Sequence, residues 1–487
     1  MISVVVRVVV AAAELDPLVK VGGLGEATAG LVRRLDQFGV DVQVVVPDYP
    51  LPFASTDEWW VDVPDWAGGR ARVRTARVDG IGPVHAVWVP GLDRPHPYVD
   101  PRGRGWADND HRFYAFGLAV AGVAHRLDVD VLHLNDWHTS TAVAAFPPER
   151  TLLTVHNLAH QGDGDLGWLP ALGDRASAFE HLGRCNPLAA AIRLCHHVVT
   201  VSPGYAREVL TPEHGCGLEG ELMARGDRFV GIRNGLDHQL WDPADDRYLP
   251  ANFTADDLSG KLICRKELER QLGLDDSPAP IVGMVSRFVG QKGIDLVLEL
   301  MPYLATLPAT LVLHGNGDAD LLAAAERAVD TAPGAARLVA GFDEAFAHLV
   351  VAGSDLLCVP SRFEPCGLTQ MQAMTFGTVP VVTQVGGLAD TVVDIDAHPD
   401  RGNGFVAAHP TVPALLDALH RATRGWRNRW RRQALQRRGM RADWSWDTPG
   451  ARYLELYERL AAGAGTPSPW PGTKDPPQAA HRTTPWR

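Results

Sequence analysis

The chain has 487 residues, of which 46% are hydrophobic and 21% are charged, and its formal net charge is −12. This length exceeds what one hydrophobic core usually supports, so the sequence predicts a globular protein with two domains. The acidic balance disfavours a nucleic-acid partner, because binding to phosphate backbones requires a basic surface.

The first apolar run, residues 4–12, is rich in β-branched residues and predicts a buried strand. A secretion signal is the alternative, but Arg7 lies inside the run and no basic region precedes it. No run reaches the roughly 18 apolar residues of a membrane span. Six cysteines without a CxxC pair predict free thiols and no metal cluster. The protein is therefore expected to be cytoplasmic, with no membrane partner.

A glycine-rich turn separates this strand from a predicted helix over residues 27–38 and a second strand over residues 42–46. Glycine at such a turn lets the backbone approach a ligand closely, although many strand-to-helix turns need glycine for packing alone. The turn reads KVGGLGE, and its candidate ligand-binding residues are Lys20, Gly22, Gly23, Gly25 and Glu26.

Residues 50–107 are rich in Trp, Pro, Gly and Arg, and no periodicity identifies their secondary structure. Within them, the loop 92–100 carries Tyr98, and this loop fits a surface connection and a ligand contact equally well. A helix is predicted over residues 108–125. The polar stretch 242–260 contains two prolines and is predicted to link the domains.

Two predicted strands, 129–134 and 152–155, each end in polar residues. Asp136 follows the first strand, and His156 and Asn157 follow the second. The carboxyl ends of parallel strands meet at one edge of a sheet, so we expect these side chains to line a crevice. A lone histidine at such an edge is more often structural.

A second strand-helix pattern begins with a strand over residues 281–286 and continues with a helix from residue 294 and a strand over 310–314. Arg287 and Lys292 follow the first of these strands. Two cations at a strand's carboxyl end suit a diphosphate, since arginine binds phosphate bidentately and lysine acts as a point charge. A solvated surface pair is the alternative.

The stretch Val359 to Val392 begins where a buried strand over residues 355–359 ends. A predicted helix over 368–376 and a strand over 378–383 follow. Free backbone N–H groups at the start of a helix suit a phosphate. The candidate ligand residues here are Glu364, Cys366, Gly367, Leu368 and Thr369. The alternative role for Glu364 is to cap the helix.

Several motifs resemble those of bacterial glycogen synthases and plant starch synthases, a family of retaining glycosyltransferases with the GT-B architecture. KVGGLGE resembles the family's KTGGLGD, SRFVGQKG its SRLxxQKG, and GIRNGLDHQLWDP its GIxNGxDxxxWxP. SRFEPCGLTQ followed by GGLADTV resembles the family's C-terminal signature. The resemblance covers residues 1–462 in separate blocks.

The resemblance implies an α/β fold of two Rossmann-like, doubly wound domains that face each other across a cleft. The implied segments are an acceptor-side domain (1–243), a nucleotide-sugar domain (244–444) and a terminal helix that packs back on the first domain (445–462). Residues 463–487 are rich in Pro, Gly and Thr and are expected to be a disordered tail.

The implied reaction transfers glucose from ADP-glucose to the non-reducing end of an α-1,4-glucan with retention, without a metal or cofactor. The residues assigned to catalysis are Glu364, Arg287, Lys292, His156 and Asp136. The residues assigned to donor or substrate binding are Lys20, Gly22, Gly23, Gly25, Glu26, Tyr98, Asn157, Asn234, Cys366, Gly367, Leu368 and Thr369. The sequence leaves open whether a covalent nucleophile is used, and we favour departure and return on one face of the sugar.

The chain departs from the family pattern at four positions near the implied site, namely Glu26 for aspartate, Pro187 and Ala189 for an aromatic residue and lysine, and Cys216 for an aromatic residue. These departures keep two other functions open. One is a glycosyltransferase that uses a nucleotide sugar on a small acceptor, and the other is a non-catalytic glucan-binding relative.

Overall fold

The computed structural model describes residues 5–51, 54–274 and 279–463. Its strands are β1 (Arg7–Ala11), β2 (Asp41–Pro47), β3 (Asp57–Asp62), β4 (Arg70–Val78), β5 (Gly82–Trp88), β6 (Val131–Asn135), β7 (Thr151–Val155), β8 (Glu180–His181), β9 (Arg184–Cys185), β10 (His197–Thr200), β11 (Phe229–Gly231), β12 (Ile281–Val285), β13 (Thr310–Gly315), β14 (Ala336–Ala340), β15 (Leu356–Val359), β16 (Val379–Thr383) and β17 (Phe405–Ala407).

The α-helices are α1 (Gly23–Gln37), α2 (Asn109–Arg126), α3 (Trp137–Ser140), α4 (Pro187–Leu194), α5 (Pro203–Glu208), α6 (Glu219–Met223), α7 (Ser259–Leu272), α8 (Ile294–Glu299), α9 (Ala319–Asp330), α10 (Glu344–Gly353), α11 (Thr369–Thr375), α12 (Gly386–Thr391), α13 (Val412–Trp426), α14 (Arg429–Arg441) and α15 (Asp447–Ala461). Short 3₁₀ segments join several of these elements, and the longest covers Leu166–Phe179.

The first large sheet has the strand order β11-β10-β7-β6-β1-β2-β5-β4-β3. Its strands are parallel from β11 to β5, and β4 and β3 extend one edge in antiparallel fashion. Successive residues of β1 alternate between two apolar cores, since Val9 and Ala11 join one and Val8 and Val10 the other. A strand buried on both faces explains why β1 is apolar throughout.

The second large sheet has the order β14-β13-β12-β15-β16-β17 and is parallel throughout. Helices cover both of its faces, because residues of α8 and α13 share one core with β12, and residues of α11 share another with β15. The predicted α/β class with parallel sheets is confirmed.

The last helix, α15, packs on the first sheet although it follows the second one in sequence. The Tyr457 hydroxyl lies 2.7 Å from His133 Nδ1, and the Tyr453 hydroxyl lies 3.2 Å from Thr154 Oγ1. The second ring nitrogen of His133 lies 2.7 Å from Thr154 Oγ1. This buried polar network therefore fixes the end of the chain to β6 and β7. The chain thus crosses twice between the part built on the first large sheet, called the first half, and the part built on the second large sheet, called the second half.

Most predicted strands lie within two or three residues of the observed ones, but the structure differs from the prediction in three places. Residues 50–107 contain β3, β4 and β5, whose alternating pattern the sequence interpretation missed. The helix expected from residue 27 already begins at Gly23, because the glycine turn is itself the first helical turn. The predicted linker 242–260 ends in α7, which was not predicted. The predicted tail lies outside the described residues except for residue 463, and the domain boundaries stay predictions.

Candidate active site

One buried carboxylate holds the glycine turn in place. Glu14 follows β1 and is 3% exposed. Its Oε2 accepts hydrogen bonds from the backbone N–H groups of Val21 at 2.7 Å and Gly22 at 2.9 Å. Its Oε1 accepts one from the Tyr98 hydroxyl at 2.7 Å. Glu14 thus joins the turn to the loop that carries Tyr98. Sequence analysis did not single out Glu14, although an acid between a buried strand and a glycine turn is a usable signal.

Lys20 lies among carboxylates from both halves of the molecule. Its Nζ is 3.2 Å from Asp16, 3.5 Å from Glu26 and 3.9 Å from Glu344 of α10. Burial lowers the pKa of Lys20, but the charges of Glu26 and Asp16 outweigh it and the pKa is raised. Burial also raises the pKa of Glu26, whose Oε1 accepts a hydrogen bond from Gln372 Nε2 at 3.3 Å. Glu26 therefore connects α1 to α11.

The glycines of the turn are tightly surrounded on one side and open on the other. A Cβ added at Gly25 would lie 3.1 Å from the Val19 carbonyl oxygen, and one at Gly23 would lie 3.6 Å from Leu368 Cδ1. A Cβ at Gly22 would meet nothing within 4 Å among the described residues. Gly25 is consequently required for packing, whereas the position of Gly22 is uncrowded although its N–H is already bonded to Glu14.

Asp136 has a strained backbone at the carboxyl end of β6. Its φ of 55° and ψ of −175° are rarely adopted by residues other than glycine. The side chain is 7% exposed, and its Oδ1 accepts hydrogen bonds from the backbone N–H groups of His156 at 2.7 Å and Asn157 at 3.4 Å. Burial raises the pKa of Asp136 to about 7. The strain and the hydrogen bonds together hold this carboxylate at the ends of two adjacent strands.

His156 is held as a neutral imidazole of defined tautomer. Burial lowers its pKa to about 3, so the ring is uncharged near neutral pH. Its Nε2 lies 2.9 Å from Asn135 Oδ1, and Asn135 Nδ2 donates to the Ala11 carbonyl at 3.0 Å. That second bond orients the Asn135 amide, so Nε2 of His156 carries the proton. Nδ1 therefore has the lone pair and can accept a hydrogen bond from a ligand hydroxyl.

The second half contributes a lysine–glutamate pair and an unpaired arginine. Glu364 is 5% exposed, and its Oε2 accepts hydrogen bonds from Lys292 Nζ at 2.6 Å and Ser361 Oγ at 2.8 Å. Within the described ranges, Glu364 Oε1 has no hydrogen-bond partner. The exposed Arg287 side chain makes no hydrogen bond or ion pair with any described residue. Burial and then the charge of Arg287 lower the pKa of His160, so Arg287 lies near the first half.

The turn before α11 contacts the first half directly. Gly367 has a φ of 72°, the left-handed conformation that glycine favours, and Thr369 begins α11. Cys366 is 5% exposed, and its thiol lies near the backbone of Asn234. Burial raises the pKa of this thiol to about 12, so it is protonated and not a nucleophile at neutral pH. This turn therefore lies where the second half contacts the first, with Leu368 Cδ1 beside Gly23.

Two short helices, α5 and α12, join the halves through reciprocal hydrogen bonds. Glu208 Oε1 accepts a bond from the Gly386 N–H at 2.7 Å, and Asp390 Oδ2 accepts one from the Gly204 N–H at 2.5 Å. Each helix start is thus satisfied by a carboxylate on the opposite half. Sequence analysis missed both acids, because neither has a local pattern that reveals its distant partner.

Besides Glu26, described above, the chain departs from the family pattern at three positions. Pro187 and Ala189 are buried in the core around α4, and Ala189 is 0% exposed. They fill space in that core and offer no surface to the cleft. Cys216 is exposed at a φ of 51°. Within the described ranges, no group of three His, Cys, Asp or Glu residues could hold a metal, and no helix is long and apolar enough to cross a membrane.

Family models match two parts of the chain. The "Starch synthase catalytic domain" model matches residues 7–224, and the "Glycosyl transferases group 1" model matches residues 265–437. The first region contains the strands of the first large sheet except β11, and the second region contains the strands of the second large sheet.

Curated relatives and solved structures match over nearly the whole chain. A glycogen synthase from Halorhodospira halophila is 40% identical over 94% of this chain and 100% of its own length. Glycogen synthase 2 from Geobacter sulfurreducens is 39% identical over 94% and 99%. The catalytic domain of starch synthase IV from Arabidopsis thaliana, solved bound to ADP and acarbose, superposes with a TM-score of 0.85 at 32% identity and covers 94% and 99%. A sucrose-phosphate synthase from Thermosynechococcus elongatus shares the fold alone, with a TM-score of 0.62 at 19% identity. The chain belongs to the glycogen and starch synthase family, and its fold is the two-domain GT-B architecture of that family.

Proposed function

We propose that this protein is a glycogen synthase that transfers glucose from ADP-glucose to the non-reducing end of an α-1,4-glucan with retention. The observation that carries the proposal is the meeting of two sets of groups across one cleft. The glycine turn meets the second half at Leu368 and Gln372, and we assign the ends of β6 and β7 to one side of this junction and the Lys292–Glu364 pair to the other. Identity of 40% to a full-length glycogen synthase supports the same conclusion.

The donor diphosphate is assigned to the second half. Negative charge builds on the diphosphate as the glucose bond breaks, so groups already in position stabilise the transition state. Arg287 has no competing partner among the described residues. Lys292 forms an ion pair with Glu364, and this pair limits the motion of the lysine side chain. The backbone N–H groups near Gly367 and Thr369 complete this proposed site. The Arabidopsis enzyme was solved with ADP, which supports the choice of nucleotide.

The transferred glucose is assigned to the space between the halves. His156 Nδ1 accepts a hydrogen bond from a glucose hydroxyl, and Glu364 Oε1 is available to another hydroxyl or to positive charge at the anomeric carbon. Asp136 and Tyr98 lie on the acceptor side. The acceptor hydroxyl attacks from the face that the diphosphate leaves, its proton passes to a diphosphate oxygen, and the configuration is retained.

The domain boundaries, the cytoplasmic location and the residue roles belong to this proposal as well.

The two other functions predict different behaviour. An enzyme acting on a small acceptor would release nucleotide without stimulation by glycogen. A non-catalytic relative would bind glycogen and release no nucleotide.

A donor screen tests the proposal. Purified protein is incubated with ADP-glucose or UDP-glucose, each with and without glycogen, and nucleotide release is measured. We expect release from ADP-glucose that depends on glycogen. Release that is equal without glycogen would favour a small acceptor, and no release with either donor would contradict the enzyme assignment.

A further inference from the structure

The antiparallel edge of the first sheet carries a row of aromatic and basic side chains. β3 is the edge strand, and its Trp60 lies directly opposite Arg72 of β4. Arg72 in turn lies opposite Trp88 of β5. Directly opposed residues of antiparallel strands project from the same face. Trp60, Arg72 and Trp88 therefore form one row across three strands, which we call the tryptophan row.

Contacts within the row hold its side chains in place. The Arg72 guanidinium lies 5.8 Å from the Trp88 ring, and the Arg70 guanidinium lies 5.6 Å from the Trp60 ring. Arg72 also donates to Asp48 Oδ2 at 3.3 Å, and Asp48 is 4% exposed. Since Trp60 and Trp88 are two strands apart, their backbones are separated by about 10 Å. Two rings at that separation can contact different units of one polymeric ligand.

The chemistry of the row favours a neutral ligand with both apolar and hydroxyl-bearing surfaces. Trp60 is 42% exposed and Trp88 is half-buried, and they share one face of the sheet, so they form a joint aromatic surface rather than one scattered side chain. The arginines nearby face acids, since Arg70 lies 3.6 Å from Asp62 and Arg72 pairs with Asp48. Because these acids neutralise the arginines, the row offers little positive charge to a polyanion. A sugar chain offers flat C–H faces to indole rings and hydroxyls to guanidinium and carboxylate groups.

The position of the row connects it to the cleft. β5 is parallel to β2, so Trp88 lies at the carboxyl end of the sheet, the edge at which the candidate site also lies. From Trp88 the chain continues directly into the loop 92–100, where the Tyr98 hydroxyl is bonded to Glu14. A glucan chain whose end occupies the cleft can therefore extend along this edge to the row.

We propose that Trp60, Arg72 and Trp88 form a binding surface for an α-1,4-glucan outside the catalytic cleft. The inference rests on the proposed function, because glucan is the acceptor assigned there. The surface holds the part of a long acceptor that lies beyond the reacting end. It raises affinity for glycogen and contributes nothing to an acceptor too short to span the distance.

The test compares long and short acceptors. Trp60→Ala, Trp88→Ala and the double variant are assayed for KM with glycogen and with maltotriose. Loss of one stacked aromatic anchor weakens binding by about tenfold, so we expect the KM for glycogen, divided by the KM for maltotriose, to rise about tenfold in each single variant and further in the double variant. Trp60→Phe keeps a flat ring and should restore most of the affinity. Trp430→Ala removes an indole that is 84% exposed on α14 and is the matched control, with the wild-type ratio expected.

A binding assay separates this inference from the proposed function. Migration of each variant in a native gel containing glycogen reports affinity whether or not the protein transfers glucose. Reduced retardation of Trp60→Ala, with normal retardation of Trp430→Ala, supports the surface even if the wild-type protein proves inactive. Unchanged retardation and an unchanged KM ratio in the folded Trp60→Ala variant would overturn it. A shift from dimer to monomer in that variant by light scattering would instead identify the row as a contact between copies of this chain.

Discussion

Glu14 provides a sharp test of how the first half forms its side of the cleft. The carboxylate holds two backbone N–H groups of the glycine turn and the hydroxyl of Tyr98. Glu14→Ala removes all three hydrogen bonds. A hydrogen bond to a charged group is worth about 1.5–3 kcal/mol, and water recovers part of it here because Val21 and Gly22 are half-buried. We therefore expect Glu14→Ala to cost about 3 kcal/mol in the transition state, which corresponds to a fall of about 10²-fold in kcat/KM.

The conservative variant and a control make the Glu14 prediction specific. Glu14→Gln keeps an acceptor oxygen and loses the charge, so we expect a fall of only about tenfold. Glu269 is a matched control, because it is 5% exposed, pairs with Arg265 at 2.9 Å and lies on α7 outside the candidate site. Glu269→Ala should lower the melting temperature and leave kcat/KM near the wild-type value. Glu14 variants that melt earlier but keep wild-type kcat/KM would refute a positioning role.

Four further predictions concern the charged groups of the cleft. Glu364→Gln should keep the fold and lower kcat by about 10²–10³-fold, and a variant with a lower melting temperature but normal turnover would make Glu364 structural. Arg287→Ala and Lys292→Ala should each lower kcat by about 10²–10³-fold with a smaller effect on ADP affinity, measured by titration, whereas a change in KM alone would indicate uniform binding. Burial raises the pKa of Asp136 to about 7, so the native state binds its proton more tightly than the unfolded state and this group's contribution to stability decreases as pH rises towards 7. If the ionised form is active, kcat/KM increases as pH rises through about 7, and the pH profile of Asp136→Asn should lack that increase; an unchanged profile would exclude Asp136 as its source. Lys20→Ala should raise the donor KM or lower kcat while circular dichroism stays native, and wild-type kinetics would remove Lys20 from the site.

Local patterns in the sequence were sufficient to predict most strands in the interior of the two parallel sheets, but not β5 or the edge strands β11, β14 and β17. Runs such as residues 152–155 and 310–314 are apolar because both faces of each strand are buried, and this pattern is readable without any tertiary information. The antiparallel edge was missed although β4 reads RARVRTARV, in which Arg and apolar residues alternate as in a half-buried strand. Its neighbour β3 carries the exposed Trp60 next to the half-buried Trp59, which hid the alternation in that strand.

The contacts that assemble the cleft were not accessible from sequence patterns. Glu14 bonds Tyr98 across 84 positions, and Glu26 bonds Gln372 across 346. Lys292 and Glu364 were each assigned separately, but their pairing at 2.6 Å depends on how β12 and β15 lie side by side in the second sheet. The strained backbone of Asp136 likewise has no local sequence signal. Motifs therefore identified the residue types, while only the fold could show which of them meet.

The proposed reaction transfers glucose in α-1,4 linkage to the non-reducing ends of a glucan. The most direct measurement incubates the protein with ADP-[¹⁴C]glucose and glycogen, isolates the polymer and digests it with β-amylase, which releases maltose from non-reducing ends through α-1,4 linkages only. We expect nearly all polymer-bound label to be released as maltose at the start of digestion. Label that stays in the polymer, or that is found only on small molecules, would contradict it.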